Sequence, residues 1–367
     1  MRVLIFANTP AHAHTYSNAI SRLTERGHDV LVLAREYGCT TDLLDFFGIT
    51  YRVYGSHETT AYSRLEFARE LGGQLTEIAL EARRFQPDVI FGRGPYAAFS
   101  GTITTANTVL LLDDEPGDFN HTVSQPFADA IITPHVTRRD LGSDHYTFDG
   151  FKECAYLHPA VYEPIPDIRD RLGVEDDERY AIVRFNAFDA LHDVGAAGFS
   201  PAQREDLLTS LSEEATVFVS DEAGTMDLRQ LPAREYDLHP ALIHDAIREA
   251  HLLVADTGTI VTEAGLLGTP AIRYGGTEDR EFGEFAALED VGLIEDCDRY
   301  EHVKSRALES LRDESVRSRR RERRDAYVGG LVNLTELIVD VAEARGNVER
   351  VVSSSSKRPQ TAQVPNQ

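Results

Sequence analysis

His251-Leu252-Leu253-Val254-Ala255-Asp256-Thr257-Gly258-Thr259-Ile260-Val261-Thr262-Glu263-Ala264-Gly265-Leu266-Leu267-Gly268-Thr269-Pro270 carries a complete structural sentence. An apolar run ends at an acid, a turn of small residues follows, and a helix-forming run stops at glycine two residues before proline. The pattern predicts strand, turn and helix, with a left-handed stop at Gly268. A turn that opens a helix leaves backbone N–H groups without intrahelical partners, and the helix dipole adds partial positive charge there. Thr257, Gly258 and Thr259 are therefore placed to hold a diphosphate. Glu263 falls one turn further along, on the same face as Thr259. Its side chain leans back toward the helix start, where a carboxylate can accept bonds from two vicinal ribose hydroxyls.

Outward from this block the same grammar repeats. Upstream, residues 180–184 and 215–219 are continuous apolar β runs, and residues 201–211 and 240–249 carry helical spacing; downstream, 269–273 is a further β run. The first half alternates likewise: strands at 3–7, 29–33, 50–54, 88–91, 108–112 and 130–133, helices at 16–26 and 62–85. Unbroken apolar strands alternating with helices imply parallel sheets covered on both faces. Prolines at 159, 164 and 166 mark the expected connection between halves. The expectation is an α/β chain of GT-B architecture, with two Rossmann-like domains facing across a cleft. Residues 1–160 form the acceptor-side domain and 161–312 the nucleotide-sugar domain. Residues 313–350 form a helical segment packing back on the first domain, and 351–367 a tail with nothing to bury.

Composition narrows the function classes. The chain has 367 residues, with 61 acidic against 37 basic side chains, a formal charge of −24. Lysine occurs only at Lys152, Lys304 and Lys357. Carboxylates spread through the sequence read as a solvated surface suited to high salt, and argue against nucleic-acid binding. Three cysteines without metal spacing offer neither a disulfide framework nor a zinc site, so no metal is expected. No apolar run reaches the roughly 20 residues needed to span a bilayer. The expected setting is cytoplasmic. Arg317, Arg319, Arg320, Arg321, Arg323 and Arg324 admit a membrane-surface contact, the alternative being a solvated, ion-paired helix.

The second half's block resembles the Asp-Ser-Gly-Gly-x-x-x-Glu block of non-hydrolysing UDP-N-acetylglucosamine 2-epimerases. It is also similar to the uridine-diphosphate site of the glycosyltransferase that makes lipid II. Thr257 stands for the epimerase serine, Thr259 for the second glycine, and Glu263 for the ribose-binding acid. In the lipid II enzyme the first loop ends in Gly-Gly-His; counting back from Gly27 places that histidine on His12, within Ala7-Asn8-Thr9-Pro10-Ala11-His12-Ala13-His14. The resemblance implies His12 as the base for an acceptor hydroxyl, with His14 in support. The epimerase His-Gly-Asp segment corresponds to Gly92-Arg93-Gly94 here, without the acid. The epimerase Glu-Ala-Gly becomes Glu115-Pro116-Gly117, preceded by Asp113 and Asp114.

Over residues 1 to about 300 the chain resembles an uncharacterised, largely archaeal family of the GT-B superfamily. The shared features read Pro10-x-His12-x-His14, Ala34-Arg35-Glu36-Tyr37, Arg184 with Asp189-Ala190-x-His192-Asp193, Ser220-Asp221-Glu222 and Glu263-Ala264-x-x-Leu267-Gly268-Thr269-Pro270. Arg184 is a candidate to offset leaving-group charge, and Glu115, His192, Asp193, Glu222, Arg273 and Glu278 are further cleft candidates. The implied function is a glycosyltransferase using a nucleotide-diphosphate sugar, UDP-linked, as substrate and needing no cofactor. Its acceptor is a sugar or a lipid-linked acceptor. Epimerisation at sugar C2 and nucleotide-sugar binding without catalysis are the alternatives.

Overall fold

In the computed structural model the apolar runs become two all-parallel sheets, one in each half. The structure describes residues 1–56, 64–113, 123–186, 198–221, 224, 226–275 and 283–352, with the backbone alone at 55–56 and 64–71. The chain divides into two units, Met1–Tyr156 with the return segment from Val332, and Leu157–Leu331.

The first unit holds strands β1 (Arg2–Ala7), β2 (Asp29–Glu36), β3 (Tyr51–Ser56), β4 (Val89–Gly92), β5 (Asn107–Leu111), β6 (Ala130–Pro134) and β7 (His145–Phe148). Their order across the sheet is β3-β2-β1-β4-β5-β6-β7. Val3 to Ala7 are wholly buried, as a central parallel strand with helices on both faces requires. Helices α1 (Pro10–Glu25), α2 (Thr40–Phe46), α3 (Arg64–Phe85) and α4 (Pro95–Thr102) are the crossovers. Pro10 opens α1 and Thr9 caps it, which moves the helix start ahead of the expected residue 16. His12 and His14 therefore lie in the helix and not in a loop. β7 is not legible as a strand in the sequence, because His145, Thr147 and their neighbours break the apolar run.

The second unit holds α5 (Ile168–Leu172), β8 (Tyr180–Phe185), α6 (Pro201–Ser212), β9 (Thr216–Asp221), β10 (Arg234–Glu235), α7 (Ile243–Glu249), β11 (Leu252–Ala255), α8 (Gly258–Leu267), β12 (Ala271–Tyr274), α9 (Gly283–Asp290), β13 (Ile294–Cys297), α10 (Tyr300–Arg312) and α11 (Val316–Val328). The strands run β10-β9-β8-β11-β12-β13, so each half of the sheet grows outward from β8 and β11. In such a sheet the chain reverses its winding between those two strands, and ligands gather at their C-terminal ends. Leu207, Leu211, Val217, Val254, Ile272, Val303 and Ala307 form the core on one face.

The C-terminal helices divide between the units, which corrects the expectation of one segment packing on the first domain. α11 stays with the second unit, where Arg324 Nε donates to Leu266 O at 2.8 Å. The chain joins the first unit from Val332, and α12 (Leu334–Glu343) lies against α1. Thr335 Oγ1 donates to Ala155 O at 2.6 Å inside that contact. Arg22 and Arg26 pair with Glu336, and Arg26 also pairs with Glu343.

Candidate functional site

The C-terminal edge of the second sheet sets five residues in one register row: Ser220, Arg184, Ala255, Arg273 and Asp296. Asp256 follows β11, and its buried carboxylate accepts from Asn186 N at 2.8 Å and Phe199 N at 3.3 Å. It thus ties down the chain on either side of residues 187–197. Burial pushes its pKa up, against those amide bonds.

Thr257 then caps α8 in an extended conformation without spending its side chain on the helix. Its Oγ1 is buried and has no hydrogen-bond partner among the described residues. An unsatisfied buried hydroxyl costs about 1–3 kcal/mol, so it is poised to gain from a ligand atom. Gly258 lies against the tip of the Phe285 ring: a Cβ there would sit 2.4 Å from Phe285 Cζ. The ring is held by Arg273, whose guanidinium carbon lies 4.1 Å from the ring centroid. Arg273 is itself buried and pairs with Asp296 at 3.4 Å. Arg273 therefore supports the turn through Phe285. Arg184 Nη1 donates to Ser220 Oγ at 3.1 Å along the same edge.

Glu263 is buried one turn into α8, with Oε1 3.0 Å from His244 Nε2. His244 comes from α7 and carries no signal in the sequence, because only helix packing brings residues 19 apart together. At the far end Gly268 adopts φ 78°, and Thr269 N donates to Ala264 O at 2.9 Å. A side chain at 268 would also press on Arg321.

The first unit carries a second constellation at the same kind of edge. His12 follows β1, Arg93 follows β4, Asp113 follows β5, and Lys152 starts a short 3₁₀ turn (Lys152–Ala155) after β7. Asp113 Oδ1 pairs with Arg93 and Oδ2 accepts from Lys152 Nζ at 2.6 Å. Burial of Asp113 opposes its ionisation, but Arg93 and Lys152 overcome it and hold the carboxyl far below the usual range. Lys152 also lies 3.7 Å from the buried Glu153. In the sequence Arg93 and Asp113 stand only as fragments of an epimerase pattern. Lys152 carries no signal there at all, because it reaches its partner across 39 residues of chain.

His12 sits in the first turn of α1. Its Nδ1 accepts the backbone N–H of Asn8 at 3.2 Å, and the Asn8 side chain is fixed in turn by Tyr54, whose hydroxyl donates to Oδ1 at 2.6 Å. An amide N–H can point only at an unprotonated ring nitrogen, so the neutral ring carries its proton on Nε2. Burial lowers its pKa to about 3, with Arg93 and Lys152 adding to the effect and Asp113 opposing it. In this geometry the neutral His12 ring presents Nε2–H, where the resemblance implies a base for an acceptor hydroxyl. His14, two residues along the helix, faces elsewhere. It is buried between Tyr156 and Phe47, with ring centroids at 5.2 and 5.5 Å, so the two imidazoles do not act together.

The arginine run is engaged in ion pairs and hydrogen bonds, with Arg320 buried and Arg319 and Arg323 exposed. Arg317 and Arg321 bind Glu249 and the carbonyls ending α7, Arg320 binds Glu295, Arg319 binds Asp313, and Arg323 donates to Gly292 O. These contacts make α11 an ion-paired helix, the alternative to a membrane-surface patch. Among the described residues no helix is long and apolar enough to cross a membrane. Glu115, His192, Asp193, Glu222 and Glu278 lie outside the described residues.

Comparison with known proteins agrees with the two-sheet architecture. The chain is 24% identical over 280 residues to the uncharacterized protein MJ0665 of Methanocaldococcus jannaschii, covering 72% of this chain and 79% of that one. Among solved structures it is similar to the UDP-GlcNAc 2-epimerase of Neisseria meningitidis bound to UDP-GlcNAc. The TM-score there is 0.66 at 11% identity, over 94% of this chain and 100% of that one. It is similar as well to the glycosyltransferase VinC in complex with dTDP, with a TM-score of 0.61 at 14% identity, over 94% and 99% of the two chains. These likenesses establish a shared two-domain α/β fold of GT-B type. A family model described as "Protein of unknown function (DUF354)" matches residues 1–195, more than half of the sequence, and the chain belongs to that family.

Proposed function

We propose that the protein is a glycosyltransferase using a nucleotide-diphosphate sugar, UDP-linked, and that the second unit binds the nucleotide. One observation carries the reading. At the head of α8 the glycine that lets a phosphate approach the backbone is kept bare by a braced Phe285, beside a buried Thr257 hydroxyl without a partner among the described residues. Backbone amides of Gly258 and Thr259 would receive the phosphates, Glu263 oriented by His244 would receive the ribose, and Arg184 would offset charge on the departing diphosphate. Similar folds bind UDP-GlcNAc and dTDP, which supports a nucleotide at this edge.

Transfer is favoured over epimerisation by a missing acid: Gly94 stands where the epimerase His-Gly-Asp pattern has its aspartate. The nearby Asp113 is a poor substitute, because a base that takes a proton from sugar C2 must hold it and this carboxylate is pinned by two cations.

Thermal unfolding of the full chain with UDP, GDP, CDP and dTDP in molar potassium chloride tests the reading. One nucleotide should raise the midpoint, and Thr257→Val should weaken its binding about fivefold, the worth of one hydrogen bond. Absence of a shift with all four would remove the proposal. A C2 epimer formed from UDP-GlcNAc alone, with no acceptor present, would replace transfer by epimerisation.

A further inference from the structure

We infer that the groove between α10 and α11 in the second unit is a binding site for a small molecule carrying more than one phosphate. No residue of α8 lines it, and it stands without the transferase reading.

The six arginines of α11 fall on two faces. Arg317, Arg321 and Arg324, spaced by four and three, share the face that packs. They donate to the carbonyls of Arg248, Glu249 and Leu266, at the ends of α7 and α8. Arg319, Arg320 and Arg323 share the neighbouring face with Val316, and that face lines the groove. Helix packing accounts for the first set and leaves the second to be explained. Together with Arg306 and Arg312 of α10, the second set lines a cavity of about 560 Å³, five arginines against the three carboxylates of Glu295, Glu309 and Asp313. In a chain of formal charge −24, a concave surface with a positive excess runs against the composition.

The donors exceed what these carboxylates take up. Glu295 is divided between two guanidiniums, accepting from Arg306 Nε at 2.6 Å and from Arg320 Nη2 at 2.7 Å. Arg320 is 8% exposed, and that bond is its only one among the described residues, so its Nε and Nη1 have no protein acceptor there. Arg323 forms no ion pair among the described residues; its one bond runs from Nη1 to Gly292 O at 3.3 Å. The two guanidiniums converge at Gly292, where a Cβ would meet Arg323 Nη1 and lie 3.5 Å from Arg320 Nη1. Burial lowers the pKa of Arg320, and Arg323 and Arg306 add to the effect against the attraction of Glu295. An anion in the groove would relieve that repulsion and accept the remaining N–H groups together.

Number, direction and space set the class of ligand. Donors reach the cavity from α11 and from Arg306 of α10, which suits tetrahedral groups with oxygens on every side better than a planar carboxylate. Arg319 and Arg323 stand one turn apart, about 6 Å along the helix axis, a span that two linked phosphates cover and one does not. The cavity has the volume of a site for a small organic molecule, and a lone phosphate would leave most of it empty.

Calorimetric titration of the full chain with inorganic pyrophosphate, inorganic phosphate and citrate tests this, at the lowest potassium chloride that keeps the chain folded by circular dichroism. Pyrophosphate should bind, with phosphate and citrate each about tenfold weaker. Arg319→Gln and Arg323→Gln should each weaken pyrophosphate binding about tenfold; both side chains are exposed, so their loss spares the fold. Arg345→Gln removes the same charge from the surface of the first unit and should leave the affinity unchanged. Failure of pyrophosphate to bind the wild-type chain would overturn the inference. Wild-type affinity in both groove variants would overturn it too, and loss in Gly258→Ala alone would move the anion to the head of α8. An equal loss in Arg345→Gln would reduce the effect to net charge, and citrate binding as tightly as pyrophosphate would remove phosphate as the ligand; either overturns the inference. Phosphatidylglycerol vesicles separate a lipid source from a soluble one. The chain should not sediment with them, and sedimentation lost in Arg323→Gln would assign these arginines to a membrane surface instead. Pyrophosphate binding at the groove together with failure of every nucleotide would sink the transferase reading and leave this site standing. The reverse result would sink this site alone.

Discussion

His12 binds a proton far less readily in the folded chain than in the unfolded one, and that difference has a measurable consequence. Its pKa falls from 6.5 to about 3 because burial penalises the imidazolium, Arg93 and Lys152 repel it, and Asp113 only partly compensates. Between those values the unfolded chain holds one proton more at this position. Stability therefore rises with pH in this window: the contribution is whole above about pH 6.5 and is lost as the pH falls toward 3. At about pH 5 the loss from His12 amounts to roughly 2 kcal/mol, from about 1.4 kcal/mol per unit. His251 is lowered in the same direction, so the test is a difference. Urea unfolding at about pH 7.5 and pH 5 should show His12→Gln losing about 2 kcal/mol less than wild type across that interval. An equal loss in both chains would mean that His12 titrates normally and would free it to act as a base. His12 is legible as a candidate site residue from its place after the first strand. Its protonation is not, since that depends on where one amide of Asn8 points and on two cations far away in sequence.

At the scale of elements, α8 is the clearest case of a sequence signal whose cause lies elsewhere. The pattern from Asp256 to Gly268 is readable as strand, turn and helix, and Gly258 is readable as a turn residue. The reason for glycine is Phe285, which comes from α9 and is held in place by Arg273 from β12. Its position after the nucleotide helix makes Arg273 a cleft candidate in the sequence, but its side chain is buried against Asp296 and the ring. A flexible side chain would yield to an added methyl; a ring braced by a buried guanidinium yields at a cost. Gly258→Ala should destabilise the protein by about 1–3 kcal/mol, the usual cost of overpacking, and weaken nucleotide binding at α8. Adding Phe285→Leu should return part of the stability, because the smaller side chain vacates the space. Urea midpoints of the single and double variants check this, and additive losses would show that the contact does not exist. α11 gives the complementary lesson. Its arginines stand out in an acidic chain as a patch for anions, yet Arg317, Arg320, Arg321 and Arg324 find their partners among the carbonyls and carboxylates of α7, α8 and β13, which no local pattern could reveal.

The whole molecule must carry a formal charge of −24, and two electrostatic effects of opposite sign compete in it. Salt weakens the many ion pairs, among them Arg26 with Glu343, Arg306 with Glu309 and Arg319 with Asp313. Each such exposed pair is worth only about 0–1 kcal/mol, and part of that survives at contact distance. Salt also weakens the repulsion among the excess carboxylates. That repulsion acts between charges many ångströms apart, and its sum grows with the square of the net charge. Screening discriminates between the two by distance: the Debye length shrinks from about 10 Å at 0.1 M to about 3 Å at 1 M. Contacts of about 3 Å are then largely kept while repulsion across the surface is largely removed. The second effect should win, so the thermal midpoint should rise as potassium chloride goes from about 0.1 M to about 2 M. Sodium chloride at equal concentration separates screening from any specific effect of potassium: screening predicts the same rise with both salts. A midpoint that falls with salt would mean that the ion pairs dominate, and that the acidic composition does not serve stability in brine. The charge is plain from composition, as the parallel sheets are plain from the apolar runs, because both are sums over many residues. The cluster of His12, Arg93 and Lys152 is not, since it exists only once seven strands have been brought side by side.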